Sequence, residues 1–387
     1  MKVKLRSNII ILLLMIISIG MFSMTAYCSE IDNENEEIEE QVNDEIIPGK
    51  VIAILKDEYE TLETSGGGYE QKVQVLKVKL TKGKEKGTFI EVFNYVDGIM
   101  ANSLDAKVGD ELYCIIERDD NGEIVKGYID KVKRDKYLIY LVIIFVLLTI
   151  IVGGFKGVKT LVTLGITMVG VYYMLRGIIN GQNPVLMSIL VCFIVTIITM
   201  FIIAGFNRKA ISAIIGTLSG VIIAGIIALI ISYYASLSGL GSSEAQMLLY
   251  STESIKLDFK GILFASILLG TLGAVMDVCM SISSSITELK ENNPLISIGQ
   301  LFKSGMNIGK DVMGTMSNTL ILAYAGTSMC LMLLFMVNNM AILDIVNMDF
   351  IATEIVRAMA GTIGLIISIP ITAIVASLLS KSNYDNI

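Results

Sequence analysis

Two spacings of apolar residues divide the chain. From about Pro48 to Arg134 apolar and polar residues alternate with a period near two; Val73, Val75, Val78 and Leu80 interleave with Lys72, Gln74, Lys77 and Lys79. Such alternation marks half-buried strands. Five short runs fit it, at 50–56, 70–81, 88–94, 110–117 and 124–130, with glycine-rich breaks such as Gly66-Gly67-Gly68 and Asn121-Gly122 between them. Five strands in so short a stretch predict a small all-β domain, a closed barrel of OB or SH3 type or an open five-stranded sheet. Beyond Lys136 the apolar residues gather into long runs. A run of roughly 20 spans the hydrocarbon core of a bilayer. The runs predict helices at 137–152, 158–176, 184–204, 210–235, 261–283, 313–337 and 355–379, about seven transmembrane spans.

The N-terminus carries a third pattern. Lys2, Lys4 and Arg6 precede an apolar stretch from Ile9 to Met24, and Ala26 and Cys28 follow it. This is the pattern of a signal peptide or of an uncleaved signal anchor, 1–28. Residues 29–47 are acidic and too polar to form a core, so they read as a disordered linker. The expected organisation is therefore signal (1–28), linker (29–47), extracytoplasmic β-domain (48–135), helical membrane domain (136–380) and cytoplasmic tail (381–387).

Composition narrows the chemistry. The 387 residues are 53% hydrophobic. There is no histidine, which excludes Ser-His-Asp and Cys-His catalysis and histidine-ligated metals. The five cysteines show no CxxC spacing, so no metal site, cofactor or disulfide framework is expected. Much of the net charge of −7 lies in the acidic linker. No electropositive stacking groove is evident in the β-domain, and no nucleic-acid partner is expected.

Charge also orients the spans. With the β-domain outside, the inner loops hold Lys156, Lys159, Arg208, Lys209, Lys290, Lys303, Lys310 and Lys381, and the outer ones Arg176, Lys256, Lys260 and Arg357. That bias favours a multi-pass protein of the bacterial cell membrane with its C-terminus in the cytoplasm. Lys131, Lys133, Arg134 and Lys136, beside the first span, pull the other way. Tyr137/Tyr140, Tyr172/Tyr173 and Tyr233/Tyr234 fall at outer boundaries, where an aromatic belt belongs.

Few polar residues interrupt the spans. Asp277 lies deep in the fifth, where a charge costs at least about 2.5–3.5 kcal/mol. Gly270, Gly273, Ala274, Asp277, Ser281, Ser284 and Glu288 recur at helical steps and form one small, polar stripe. In the sixth span Asp311, Thr315, Asn318 and Thr319 share a face. The polar segment 288–310 between the two, interrupted by Pro294, reads as partly re-entrant. Asp277, Ser281, Asp311, Thr315 and Asn318 are the candidates for a cation or proton pathway; the competing role is polar glue between helices. Glu354 and Arg357 form an i,i+3 ion pair at the start of the seventh span. Gly361, Gly364 and Ser368 share a face there, and Pro370 predicts a helix break. Gly216, Gly220 and Ala224 give small-xxx-small spacing on the fourth.

Four stretches, 95–104 (YVDGIMANSL), 153–161 (GGFKGVKTL), 268–281 (LLGTLGAVMDVCMS) and 305–326 (GMNIGKDVMGTMSNTLILAYAG), together resemble the YibE/F-like family of multi-pass membrane proteins. The resemblance runs from the β-domain to about residue 380. It implies an integral membrane protein of bacteria and draws attention to Asp277, Asp311 and Asn318; it names no substrate.

Two functions are expected from these features. One is a secondary transporter or permease component that moves a small solute or ion by way of a buried carboxylate. The other is a structural or sensory protein whose β-domain binds an envelope partner. An enzyme is not expected. Ile308-Gly309-Lys310 precedes Asp311 where an intramembrane aspartyl enzyme would have Gly-x-Gly, and Asp311 is expected near the interface rather than deep. No P-loop pattern is present, so the chain is not expected to power itself with ATP.

Overall fold

The computed structural model describes residues 45–64, 67–96, 105–118, 124–251 and 256–380. The signal, most of the linker and the tail expected from the sequence lie outside the described residues. The described residues form two compact units, one from Glu45 to Leu148 and one from Thr149 onward.

The first unit is a closed five-stranded barrel of order β1-β2-β3-β5-β4. Its strands are β1 (Glu45–Thr64), β2 (Gly67–Leu80), β3 (Phe89–Val96), β4 (Glu111–Arg118) and β5 (Ile124–Val132). All neighbours are antiparallel except β3 and β5, which pair in parallel through Val92–Gly127 and Phe93–Tyr128. This strand order is that of an OB-type barrel, and closure rules out the open sheet. Inward side chains at every second position, among them Val51, Leu76, Val78, Val92, Leu112, Cys114 and Ile116, fill the interior.

β1 is much longer than the expected 50–56. Its first part, Glu45–Lys50, pairs with β4, three residues inside the expected linker; Ile47 is part of the core. At Gly49 the strand also meets β2, and a β-carbon there would collide with Val78. Its far part forms a two-stranded ribbon with β2 that ends at Thr64–Gly67. Residues 57–64 of β1 are mostly polar, so they lack the apolar alternation by which strands are recognised.

The helices are α1 (Asp135–Ile179), α2 (Pro184–Ala204), α3 (Arg208–Tyr234), α4 (Ser243–Ser251), α5 (Phe259–Asn292), α6 (Ile298–Thr327), α7 (Met329–Val337), α8 (Ile342–Val346) and α9 (Asp349–Leu379). Among the described residues, five are long and apolar enough to cross a membrane: α1, α2, α3, α5 and α9. They become six if α6 and α7, bent by 61°, make one broken span.

The expected seven took α1 as two spans. Its 45 residues would reach about 67 Å if straight, roughly twice the hydrocarbon thickness. They are not straight. Gly154 is non-helical (φ 54°, ψ −131°), and a β-carbon on Gly157 would collide with the Thr149 carbonyl. Residues eight apart in a continuous helix stand about 12 Å apart, so the chain turns sharply at Gly154, between the two expected runs.

Segment 288–310 is mostly helical: α5 continues to Asn292, and after a short turn Ser297 and Gln300 form a capping box that starts α6. Lys290 Nζ donates to the carbonyls of Pro294 and Ile296 and closes the turn. One further expectation is corrected: Pro370 does not break its helix, since α9 runs through it. Proline removes one N–H bond, and packing on neighbouring helices tolerates that loss within a membrane segment.

Candidate functional site

The site rests on three helices held close by small residues. A β-carbon on Gly216 (α3) would collide with Thr372 (α9) and stand 3.1 Å from Cys279 Sγ (α5). Gly220 leaves only 2.8 Å to Ser368 Cβ and 2.9 Å to Val275 Cγ1 by the same measure. Gly361 of α9 meets Thr271 of α5, and Gly364 meets Ala224 of α3. The small faces expected on the fourth and seventh spans thus face each other. Without a hydrophobic drive between helices in lipid, such close approach supplies the packing energy. Ser212 Oγ donates to Ser283 Oγ at 3.0 Å, and Thr372 Oγ1 reaches Cys279 Sγ at 3.1 Å. Buried Thr196, Thr271, Thr362 and Thr372 also bond back to the carbonyl four residues earlier, which satisfies them inside their own helices.

α5 packs against α2, α3, α6 and α9. The apolar face Leu268, Leu272, Val275, Cys279, Ile282 and Ile286 is buried. The stripe runs along the opposite side. Gly270, Gly273, Asp277, Ser281 and Glu288 are exposed, and Ser284 is half-buried. Asp277 stands near the middle of the 34-residue helix with no hydrogen bond or ion pair to any described residue. A β-carbon on Gly273, one turn away, would touch nothing within 4 Å. The carboxylate therefore faces out of this chain, over an open notch.

α6 turns its seam of Gly305, Gly309, Met313, Met316 and Leu320 toward the bundle. Gly309 lies against Ile369 and Ile282, and Gly305 against Ile286. At about 100° per residue, Asn318 is half a turn from Gly309 and Asp311 nearly so. Both are exposed, as is Thr315, whose hydroxyl donates to the Val312 carbonyl. The structure thus brings no bond between Asp277 and Asp311, Thr315 or Asn318; they stand on outward faces of two adjacent helices. Among the described residues no cluster of three metal-ligating side chains occurs.

One cluster escaped the sequence reading. The Arg357 guanidinium binds Glu354 at 2.6 Å, the expected pair, and also donates to Ser266 Oγ of α5 at 3.2 Å. It lies 6.0 Å from the centre of the Tyr324 ring of α6. The Tyr324 hydroxyl in turn stands 2.5 Å from where a β-carbon on Gly270 would be. Glu354 Oε2 and Arg357 Nε are buried without a hydrogen-bond partner. Ser266 lies four residues before Gly270 and continues the stripe; that spacing is the signal by which this end could have been found.

In the barrel, Gln74 and Asn94 are buried polar residues. Gln74 Oε1 accepts from Asn94 Nδ2 (2.8 Å) and the Ala106 N–H (3.0 Å), while Gln74 Nε2 donates to Asp105 (2.9 Å). Lys72 links Asp105 and Asp57 at 2.7 and 3.0 Å. On the outer face Lys77 and Lys79 lie 5.3 and 5.7 Å from the ring of exposed Phe89.

Comparison with known families decides the relationship. The model of the YibE/F-like protein family matches residues 141–382, and that of the YibE/F family N-terminal domain matches 42–132. The chain belongs to the YibE/F-like family. Together the two matches cover the barrel and the membrane helices, and the N-terminal one starts just before β1. No curated protein and no solved structure matches this YibE/F-like chain.

Proposed function

We propose that this YibE/F-like protein passes a small solute or ion across the bilayer, with Asp277 as its binding group and the stripe of α5 as its floor. One observation carries the reading: an unpaired carboxylate near the middle of an apolar helix, exposed from the chain that bears it. A charge held in lipid costs at least about 2.5–3.5 kcal/mol, so such a group belongs to a water-accessible path or a partnered surface. Ser281 and Ser284 continue the stripe one and two turns on. The protein acts without cofactor chemistry on this reading. It places the barrel outside the bacterial cell membrane and the C-terminus in the cytoplasm, on the strength of the lysine and arginine bias.

The test compares Asp277→Asn with the parent in two measurements, thermal stability in detergent and rescue of the growth phenotype of a deletion strain. Equal or higher stability with lost rescue supports a working carboxylate. Full rescue by Asp277→Asn overturns it.

A second reading rests on the Lys77–Phe89–Lys79 surface, which offers an exposed ring between two cations for an envelope partner. It expects Lys77→Glu with Lys79→Glu to abolish rescue while Asp277→Asn retains it.

A further inference from the structure

The outward face of α6 is the one the bundle leaves unexplained. Asp311, Gly314, Asn318 and Leu322 follow one another at three- or four-residue steps and are all exposed. A β-carbon on Gly314 would meet nothing within 4 Å. No described residue of the same chain bonds to the Asn318 amide or the Asp311 carboxylate. From Val312 onward the segment is mostly apolar through the end of α7, so lipid is the default surrounding of this face. Lipid tails offer no partner to an amide, and leaving one bare there is costly. Leu322, 60% exposed in the same line one turn beyond Asn318, argues against a face bathed in water.

We propose that this face is covered by the same face of a second copy of the chain, in a two-fold dimer whose axis runs along the membrane normal. The inference does not depend on the transport reading. Two copies so related bring equal depths together, so each residue meets itself or its near neighbours. The composition suits that geometry. A carboxamide both donates and accepts, and Asn318 can therefore pair with Asn318 of the other copy. Lys310 and Asp311 are adjacent and of opposite sign, so each lysine can meet the opposite aspartate. Gly314 lies four residues from both Lys310 and Asn318 and lets the two helix backbones approach, the usual role of a small residue at a helix crossing in membranes. A face made only for lipid needs none of these three features.

The experiment uses the full chain in native membranes, with the exposed Cys330 replaced by serine, and Cys28 likewise. Single cysteines are introduced on the outward face (Gly314→Cys, Asn318→Cys, Leu322→Cys) and on the bundle face (Val312→Cys, Met316→Cys, Leu320→Cys), and oxidative cross-linking is read as dimer on a non-reducing gel. Dimers from the first set and none from the second are expected, independent of expression level. Equal cross-linking in both sets, none in the first, or cross-links only to a different protein would overturn the proposal. Because a cysteine variant can fail to insert, the parent is also sized in lipid nanodiscs beside Gly314→Leu. A dimer weakened at least about tenfold by the leucine is expected; a parent that is monomeric at every concentration refutes it.

Discussion

Thr372 of α9 stands where a side chain on Gly216 of α3 would have to go. The hydroxyl is not free to step aside: it donates to the Ser368 carbonyl and lies 3.1 Å from Cys279 Sγ. Gly216→Ala should therefore force α3 and α9 apart and cost about 1–3 kcal/mol, the usual range for overpacking. Thermal unfolding in detergent should show a lower Tm. Gly165→Ala, with nothing within 4 Å of the added carbon, is the control and should leave it unchanged or higher.

Gly270 and Tyr324 should be energetically coupled. The Tyr324 hydroxyl, at 2.5 Å, is the atom a Gly270→Ala methyl would strike, whereas the ring carbon behind it is 3.7 Å away. Tyr324→Phe removes the obstructing oxygen. Gly270→Ala should thus destabilise the parent clearly and the Tyr324→Phe background much less. Additive effects in that double-mutant cycle would show that the two residues do not meet as described.

The barrel depends on one amide. In Gln74→Leu the buried Ala106 N–H loses its acceptor and the Asn94 amide loses one bond, at a cost of about 1–3 kcal/mol. Cys114 offers the readout. It is fully buried, and burial pushes its thiol up to about 12, so it should resist maleimide in the folded barrel. Gln74→Leu should speed its labelling several-fold.

Acid should loosen the barrel. The bond from the Arg118 guanidinium holds the Glu85 carboxyl below its ordinary value, and the bond from Lys133 does the same for Glu111. A carboxylate whose folded pKa is depressed adds stability that is present above its unfolded pKa, about 4.3, and is lost as the pH falls through the folded value. Hydrogen exchange of β3 and β4 should accelerate as the pH drops from about 5 to 3, after correction for the intrinsic rate. Glu85→Gln combined with Glu111→Gln should flatten that dependence; an unchanged slope would mean that other carboxylates govern it.

The parts of this architecture that were legible in the sequence are those set by periodicity. Val73 to Leu80 alternate because one side of β2 lines a closed interior, and that alone announces a strand. The membrane helices declare themselves by length and apolarity. What periodicity cannot give is direction. Gly270, Gly273, Asp277 and Ser281 share a face, as their spacing requires, but nothing local tells whether that face is turned to a neighbour or away from it. Tertiary packing decides this: the larger residues Leu268, Val275, Ile282 and Ile286 take the bundle side. The two apolar runs on either side of Gly154 were legible, but the turn itself was not, since a glycine pair is equally compatible with a helix that runs on. The continuity of α9 through Pro370 was not, because the ring's effect depends on the helices around it. α4 and α8 are too short and too mixed in composition to stand out.

The β1–β2 ribbon has a consequence for how the protein keeps to itself. Strands of a closed barrel have no free backbone to offer, whereas among the described residues β1 beyond Lys56 pairs only with β2, and β2 before Lys72 only with β1. Those two rims are templates onto which another extended chain could zip. Between residues 57 and 71 the sequence holds five acidic residues and no lysine or arginine. Two such segments carry the same net charge, which opposes runaway pairing between copies.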